Sequence, residues 1–152
     1  VIGPAATASE ALCTLAEEVG RLLASAGAVL VTGGGAGVMA SAAAGATAAG
    51  GVTVGILPGS DRRSAVGDLT VAIPTGLGEL RNGLVVRSAD AVIAIGGSWG
   101  TASEIALALR TRVPLVALSG WRYLDDNGLE IEVTRAGTPA EAVAKALALA
   151  GT

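Results

Sequence analysis

Short β-branched apolar runs alternate with longer runs rich in Ala and Leu along the whole chain. A strand buried on both faces is apolar throughout, whereas a helix with one buried face repeats its apolar residues every three or four positions. Val1-Ile2 reads as the end of a first strand. Thr7-Ala8-Ser9-Glu10 has the form of a capping box, so a helix is expected to begin at Thr7. Leu12, Leu15, Ala16, Val19, Leu22 and Leu23 then recur at helical spacing until Gly27 stops the helix. Residues 28–32 (AVLVT) read as a buried strand, 33–37 as a glycine loop, 38–49 as a helix of small residues and 52–57 (VTVGIL) as the next strand.

A polar loop, 58–67, leads to a strand at 69–73 closed by Pro74, and residues 79–88 read as a short helix. Residues 91–95 (AVIAI) form another apolar run, followed by a second glycine loop at 96–101 and a helix over 102–110. A strand is expected at 114–118, a loop at 119–128 and a last strand at 131–134. Thr138-Pro139-Ala140-Glu141 opens the final helix, with Thr as cap and Pro in the first turn. This alternation implies an α/β domain over residues 1–152: three layers, a doubly wound and mostly parallel sheet with helices on both faces. In such folds ligands bind beyond the carboxyl ends of the strands, where the winding reverses. Both glycine loops fall at such ends and precede helices, so unspent N–H groups and the positive ends of two helix dipoles are expected together.

Composition narrows the chemistry. The chain is 51% hydrophobic, 15% charged and 2% aromatic, enough apolar matter for a core and too little charge for a fully solvated surface. The latter suggests that part of the surface is buried in a homo-oligomer. A net charge of −3 with 10 Lys plus Arg leaves no basic footprint for nucleic acid. His is absent, which excludes a His base, a His metal ligand and a Ser-His-Asp triad. Cys13 is the single cysteine, so no intramolecular disulfide or zinc site is expected. No apolar run reaches membrane-spanning length. The chain opens on Val1 without initiator Met or signal peptide, and the expectation is a cytoplasmic protein whose natural chain has further residues before Val1.

Gly35-Ala36-Gly37-Val38-Met39-Ala40 matches the dinucleotide pattern G-x-G-x-x-G/A, but the acid that should end the next strand is missing there: Ile56-Leu57-Pro58-Gly59. Gly96-Gly97-Ser98-Trp99-Gly100 fits a nucleophile elbow without its His. Thr101 is expected to cap the following helix or to donate to a phosphate. Arg81, placed at the start of its helix, gains nothing from the dipole and is a candidate ligand residue. Arg87 is expected to meet helix carbonyls or Asp90. Glu104, placed in the first turn of its helix, either complements the dipole or holds a sugar hydroxyl or a water. Asp61-Arg62-Arg63 is read as a solvated loop or, alternatively, a flap over phosphates. Trp121 and Tyr123 are read as walls of the pocket or as an oligomer contact. Cys13 and Met39 have the character of packing residues.

Val31-Thr32-Gly33-Gly34-Gly35-Ala36-Gly37-Val38-Met39, Arg81, and Ile95-Gly96-Gly97-Ser98-Trp99-Gly100-Thr101-Ala102-Ser103-Glu104 together resemble the LOG-like (SLOG) superfamily. That group contains the cytokinin-activating nucleoside-monophosphate phosphoribohydrolases, once misnamed lysine decarboxylases, and the molybdenum cofactor carrier proteins. The resemblance runs from Val1 to about Trp121. Thr75-Gly76-Leu77-Gly78-Glu79-Leu80-Arg81-Asn82 looks closest to the carrier-protein-like branch. Against the hydrolases' P-G-G-x-G-T-x-x-E motif, Gly97, Gly100, Thr101 and Glu104 match, while Gly96 and Ser98 replace a Pro and a Gly. Ser103 replaces the first of two adjacent acids. The catalytic arginine falls at Arg81, but the Lys and Glu beyond it become Asn82 and Leu84. The first glycine loop is one residue shorter.

The resemblance implies a Rossmann-like fold, a phosphate cradle and a homodimer or homotetramer. The expected ligand residues are Gly33, Gly34, Gly35, Gly37, Met39, Arg81, Asn82, Gly97, Ser98, Trp99, Gly100, Thr101 and Glu104, with Arg81 and Glu104 catalytic if the protein is an enzyme. Two functions follow. One is binding or carriage of a phosphorylated small molecule, a nucleotide or a molybdopterin-type cofactor, with no other cofactor required and no metal, nucleic acid or membrane involved. The other is hydrolysis of the N-glycosidic bond of a nucleoside 5′-monophosphate. An oligomerising domain with a vestigial pocket is the third and plainest reading.

Overall fold

Strands form where β-branched runs are buried from both sides. In the computed structural model, which describes residues 1–151, every residue of β4 (Val92–Ile95) and β5 (Leu115–Leu118) is buried, and the two pair in parallel. β6 (Thr134–Ala136) extends them on one side. β1 (Leu30–Thr32), β2 (Thr53–Leu57) and β3 (Val71–Pro74) form a second parallel set in that order. The Val1-Ile2 segment joins the two sets. Ile2 N–H donates to Ile93 O at 3.0 Å, Ile95 N–H donates to Ile2 O at 3.0 Å, and the Val1 amino group donates to Val31 O at 2.7 Å. The spatial order is therefore β3-β2-β1-Ile2-β4-β5-β6, all parallel where paired.

Five helices connect the strands among the described residues: α1 (Glu10–Ser25), α2 (Val38–Ala48), α3 (Asn82–Arg87), α4 (Trp99–Thr111) and α5 (Pro139–Ala150). Alternate residues of β4 show why two helical layers are needed. Ile93 and Ile95 join Val19, Val38, Ala42, Val116, Leu118 and Val143 in a core beneath α1, α2 and α5. Val92 and Ala94 face the other way, into a core of Ile2, Val85, Val86, Ile105 and Leu115 beneath α3 and α4. The chain winds outward from Ile2 to β3, then returns through α3 to β4 on the other side of Ile2. The crevice beyond the ends of β1, Ile2 and β4 is thus the point of reversal where α/β folds place ligands.

The alternation of elements and the three-layer architecture stand as expected, and the differences lie at element ends. α1 begins at Glu10 rather than Thr7, because Ser9 supplies the cap by accepting from Leu12 N–H at 3.3 Å. The expected helix over 79–88 is a 3-10 turn, Gly78–Arg81, followed by α3. The last strand lies at Thr134–Ala136, where Arg135 pairs in register with Ala117, not at 131–134. Thr138 does cap α5, accepting from Glu141 N–H at 3.2 Å. Among the described residues, no helix is long and apolar enough to cross a membrane.

Candidate functional site

A cavity of about 300 Å³ opens at the reversal point, the lower end of the range for small-molecule sites. Gly3 and Ala5 line it from the turn after Ile2, Met39 from α2 and Pro58 from the end of β2. Gly78, Glu79, Arg81 and Asn82 come from the 3-10 turn and α3, and Ser98, Gly100, Thr101 and Glu104 from α4. A larger groove of about 490 Å³ runs between α1 and α2, but it is a surface trough whose Arg21 is already taken by Glu18 at 2.6 Å. The smaller cavity holds Arg81, whose buried Nε has no acceptor among the described residues, and is the candidate site.

Arg81 and Glu104 face each other in it. The Arg81 side chain is only 12% exposed, and its Nη1 lies 3.8 Å from Glu104 Oε1. Nη1 donates to Asn82 Oδ1 at 2.6 Å and Nη2 donates to Gly33 O at 3.1 Å. Nε is buried and has no acceptor among the described residues. Burial lowers the Arg81 pKa, an effect that Glu104 opposes, yet a guanidinium so basic remains cationic. Burial also pushes the Glu104 carboxyl up to about 7, against the pull of Arg81 and, to a lesser degree, of the Val1 amino group. Glu104 can therefore exist with or without its proton near neutrality, the property a general acid or base requires.

The turns around the pair keep amides unspent. The second loop is shorter than the sequence suggests, because α4 begins at Trp99, and Gly100 and Thr101 lie in its first turn. Ser98, not Thr101, is the cap: its Oγ accepts from Thr101 N–H at 3.2 Å and lies 2.9 Å from Thr101 Oγ1. Glu104 consequently falls in the second turn, facing inward and buried, and the dipole-complementing reading does not apply. Among the described residues, no acceptor takes the amides of Gly97, Ser98, Trp99 and Gly100, nor those of Gly35, Ala36 and Gly37. The first amide of α2, Val38 N–H, is spent on Pro4 O at 3.1 Å.

The sequence-derived residues divide in two. Met39, Arg81, Asn82, Ser98, Gly100, Thr101 and Glu104 line the cavity, whereas Gly33, Gly34, Gly35, Gly37, Gly97 and Trp99 do not. Gly33 acts through Arg81. Its carbonyl anchors the guanidinium, and a Cβ there would lie 2.6 Å from Nη2. Arg81 ends the 3-10 turn rather than beginning α3. Gly3, Ala5, Pro58, Gly78 and Glu79 are lining residues the motifs did not reveal. The Gly3-Pro4 dipeptide directly after the central strand was the available signal, since a turn at the reversal point must border the crevice. Residues 61–63 do not line the cavity and form a solvated loop: Arg63, 87% exposed, pairs with Asp61 at 2.7 Å. Trp121 and Tyr123 do not wall the cavity. Trp121 packs over Gly97, and Tyr123 joins the core beneath α3 and α4.

This arrangement is a Rossmann-like α/β fold with a crevice at its reversal point, and comparison with known proteins places it further. The SLOG cluster4 family model matches residues 1–147, and the chain belongs to that family. The match extends well beyond Trp121, through β6 and into α5. The molybdenum cofactor carrier protein of Chlamydomonas reinhardtii is 35% identical, with a TM-score of 0.84 over 99% of this chain and 96% of that one. The molybdenum cofactor binding protein of Rippkaea orientalis is 38% identical, with a TM-score of 0.83 over 93% of this chain and 90% of that one. An uncharacterized protein of Archaeoglobus fulgidus is 41% identical over 132 residues, 82% of this chain and 85% of its own length.

Proposed function

We propose that the chain binds and carries a phosphorylated small molecule, a molybdopterin-type cofactor or a nucleotide, in the cavity around Arg81. The observation that carries this reading is the buried guanidinium with a partnerless Nε, set beside two turns whose amides have no acceptor. A buried donor without an acceptor costs stability, and an anion that enters recovers it through charge-assisted hydrogen bonds. The relatives named for molybdenum cofactor binding and carriage support the same reading. Among the described residues no cluster of His, Cys, Asp or Glu is arranged to hold a metal, so a metal-bearing cargo would be gripped through its phosphate and organic frame.

Arg81→Ala is expected to weaken binding of AMP or a pterin phosphate by about 2 kcal/mol, roughly thirty-fold, in titration calorimetry. Gly33→Ala is expected to act in the same direction, because its methyl group would displace Nη2 from the Gly33 carbonyl. Unchanged affinity in Arg81→Ala, or no binding of any phosphorylated probe by the parent protein, removes the reading.

One observation favours hydrolysis as the second reading: Glu104 lies 3.8 Å from Arg81 with its pKa raised to about 7. In that case Glu104 orients ribose hydroxyls or assists water while Arg81 fixes the substrate. Incubation with AMP, followed by chromatography for adenine and ribose 5-phosphate, decides it. Product that disappears in Glu104→Gln supports hydrolysis, and absence of product leaves carriage alone.

A further inference from the structure

The chain contains two tryptophans, and their rings meet beside the second turn, next to residues that line this cavity although neither lines it itself. Trp99 opens α4 between two lining residues, Ser98 and Gly100. Trp121 follows β5 and lies so close over Gly97 that a Cβ there would be 2.5 Å from its Cδ1. The rings meet edge to face, with centroids 5.0 Å apart and planes at 79°. Such a contact uses the edge of one ring and the face of the other, leaving further π surface open. Trp99 is 83% exposed, although Trp side chains are on average well buried. α4 itself has no need of an indole at this position. Ser98 caps the helix, and Thr101, Glu104, Ile105 and Ala108 make its buried face. Phe is absent and Tyr123 packs in the core, so the tryptophan pair is the aromatic surface at the site.

We propose that Trp99, braced by Trp121, stacks on the planar heteroaromatic ring of the ligand whose phosphate the cavity takes. The pair thereby selects phosphorylated ring compounds, purines or pterins, over phosphorylated sugars. This rests on the binding reading above and adds a second point of attachment to it. A stacking face accepts any flat ring, so it sets the class of ligand rather than its identity, with the aromatic contact contributing on the scale known for bases on protein aromatics.

The test compares AMP, neopterin monophosphate and ribose 5-phosphate on the full chain by calorimetry and by tryptophan fluorescence. The expected result is at least ten-fold tighter binding of a ring compound than of ribose 5-phosphate, with quenching by the ring compound only. In Trp99→Ala the ratio should collapse towards one, and in Trp99→Phe it should persist. Equal affinities in the parent, or a ratio that survives Trp99→Ala, overturns the stacking subsite and leaves the phosphate reading standing. No binding of any of the three removes both. A Trp99→Ala protein that changes its sedimentation while keeping the ratio assigns Trp99 to a contact between copies of the chain, which also overturns the proposal.

Discussion

Glu104→Gln is expected to gain about 2.5 kcal/mol of stability relative to the parent between pH 5 and pH 8, most of the roughly 3.4 kcal/mol that a carboxyl raised from 4.5 to about 7 implies. Glu104 has a pKa of 4.5 in the unfolded chain and about 7 in the folded one. The folded protein therefore holds this proton more tightly. The stabilisation is complete below about pH 4.5 and is lost as pH rises through about 7. Above that the parent must keep a carboxylate buried against desolvation, whereas glutamine carries no charge at any pH. The Val1 amino group, lowered to about 6 by burial and partly held up by Glu104, titrates in the same window with the opposite sign, and its pKa falls further once the Glu104 charge is removed. Asp61, Asp125, Glu18 and Glu141 are held below their usual ranges by their hydrogen bonds, and those bonds are the same in both proteins. The difference between parent and variant in urea unfolding therefore reports Glu104 together with its coupling to the Val1 amino group. An identical difference at pH 5 and pH 8 contradicts the assignment. The same proton bears on function, since an anion meets less repulsion beside a neutral Glu104.

Gly45→Val is expected to destabilise the protein by about 3 kcal/mol and to lower the thermal midpoint by about 6–12 °C. α1 and α2 approach so closely that a Cβ on Gly45 would strike the Glu17 carbonyl oxygen, and one on Gly20 would strike the Ala42 carbonyl oxygen. These are backbone atoms, so the helices themselves must separate. The improved helix propensity of valine over glycine returns only about 0.3 kcal/mol. Gly83 in α3 is the control: a Cβ there meets nothing within 4 Å, and Gly83→Ala should stabilise by about 0.5–1 kcal/mol. A calorimetric melt in which Gly45→Val is neutral would show that α1 and α2 can yield, contrary to the tight packing described.

The close approach of these helices accounts for the small-residue pattern in α2, VMASAAAGATA, which is apolar on average and barely amphipathic. From the sequence it could be read as a helix but not assigned a partner. The same limit shows at the site. The two glycine turns, Arg81 and Glu104 were legible because their spacing along strand-to-helix junctions is a local property. The cap falls at Ser98 rather than Thr101 because either hydroxyl could serve the amide three residues on, and only the backbone angles decide which residue is extended. The burial of Glu104 was invisible for a related reason. A one-turn error in where α4 begins carries a side chain from the dipole end to the inner face.

The alternation of apolar runs and the glycines at strand ends by themselves determined the parallel three-layer architecture, because strands buried on both faces leave no other way to cover them. Which side of Ile2 receives β4, and hence which turns share a crevice, was decided only by the tertiary structure. That choice depends on Ile2 pairing with residues more than ninety positions away, about Ile93 to Ile95, and on α3 carrying the chain across the sheet. It places Gly3 and Ala5 between the two turns and sets Arg81 against the Gly33 carbonyl and Glu104. Periodicity records what each segment buries, whereas the charge state of a carboxyl follows from the neighbours that long-range pairing brings to it.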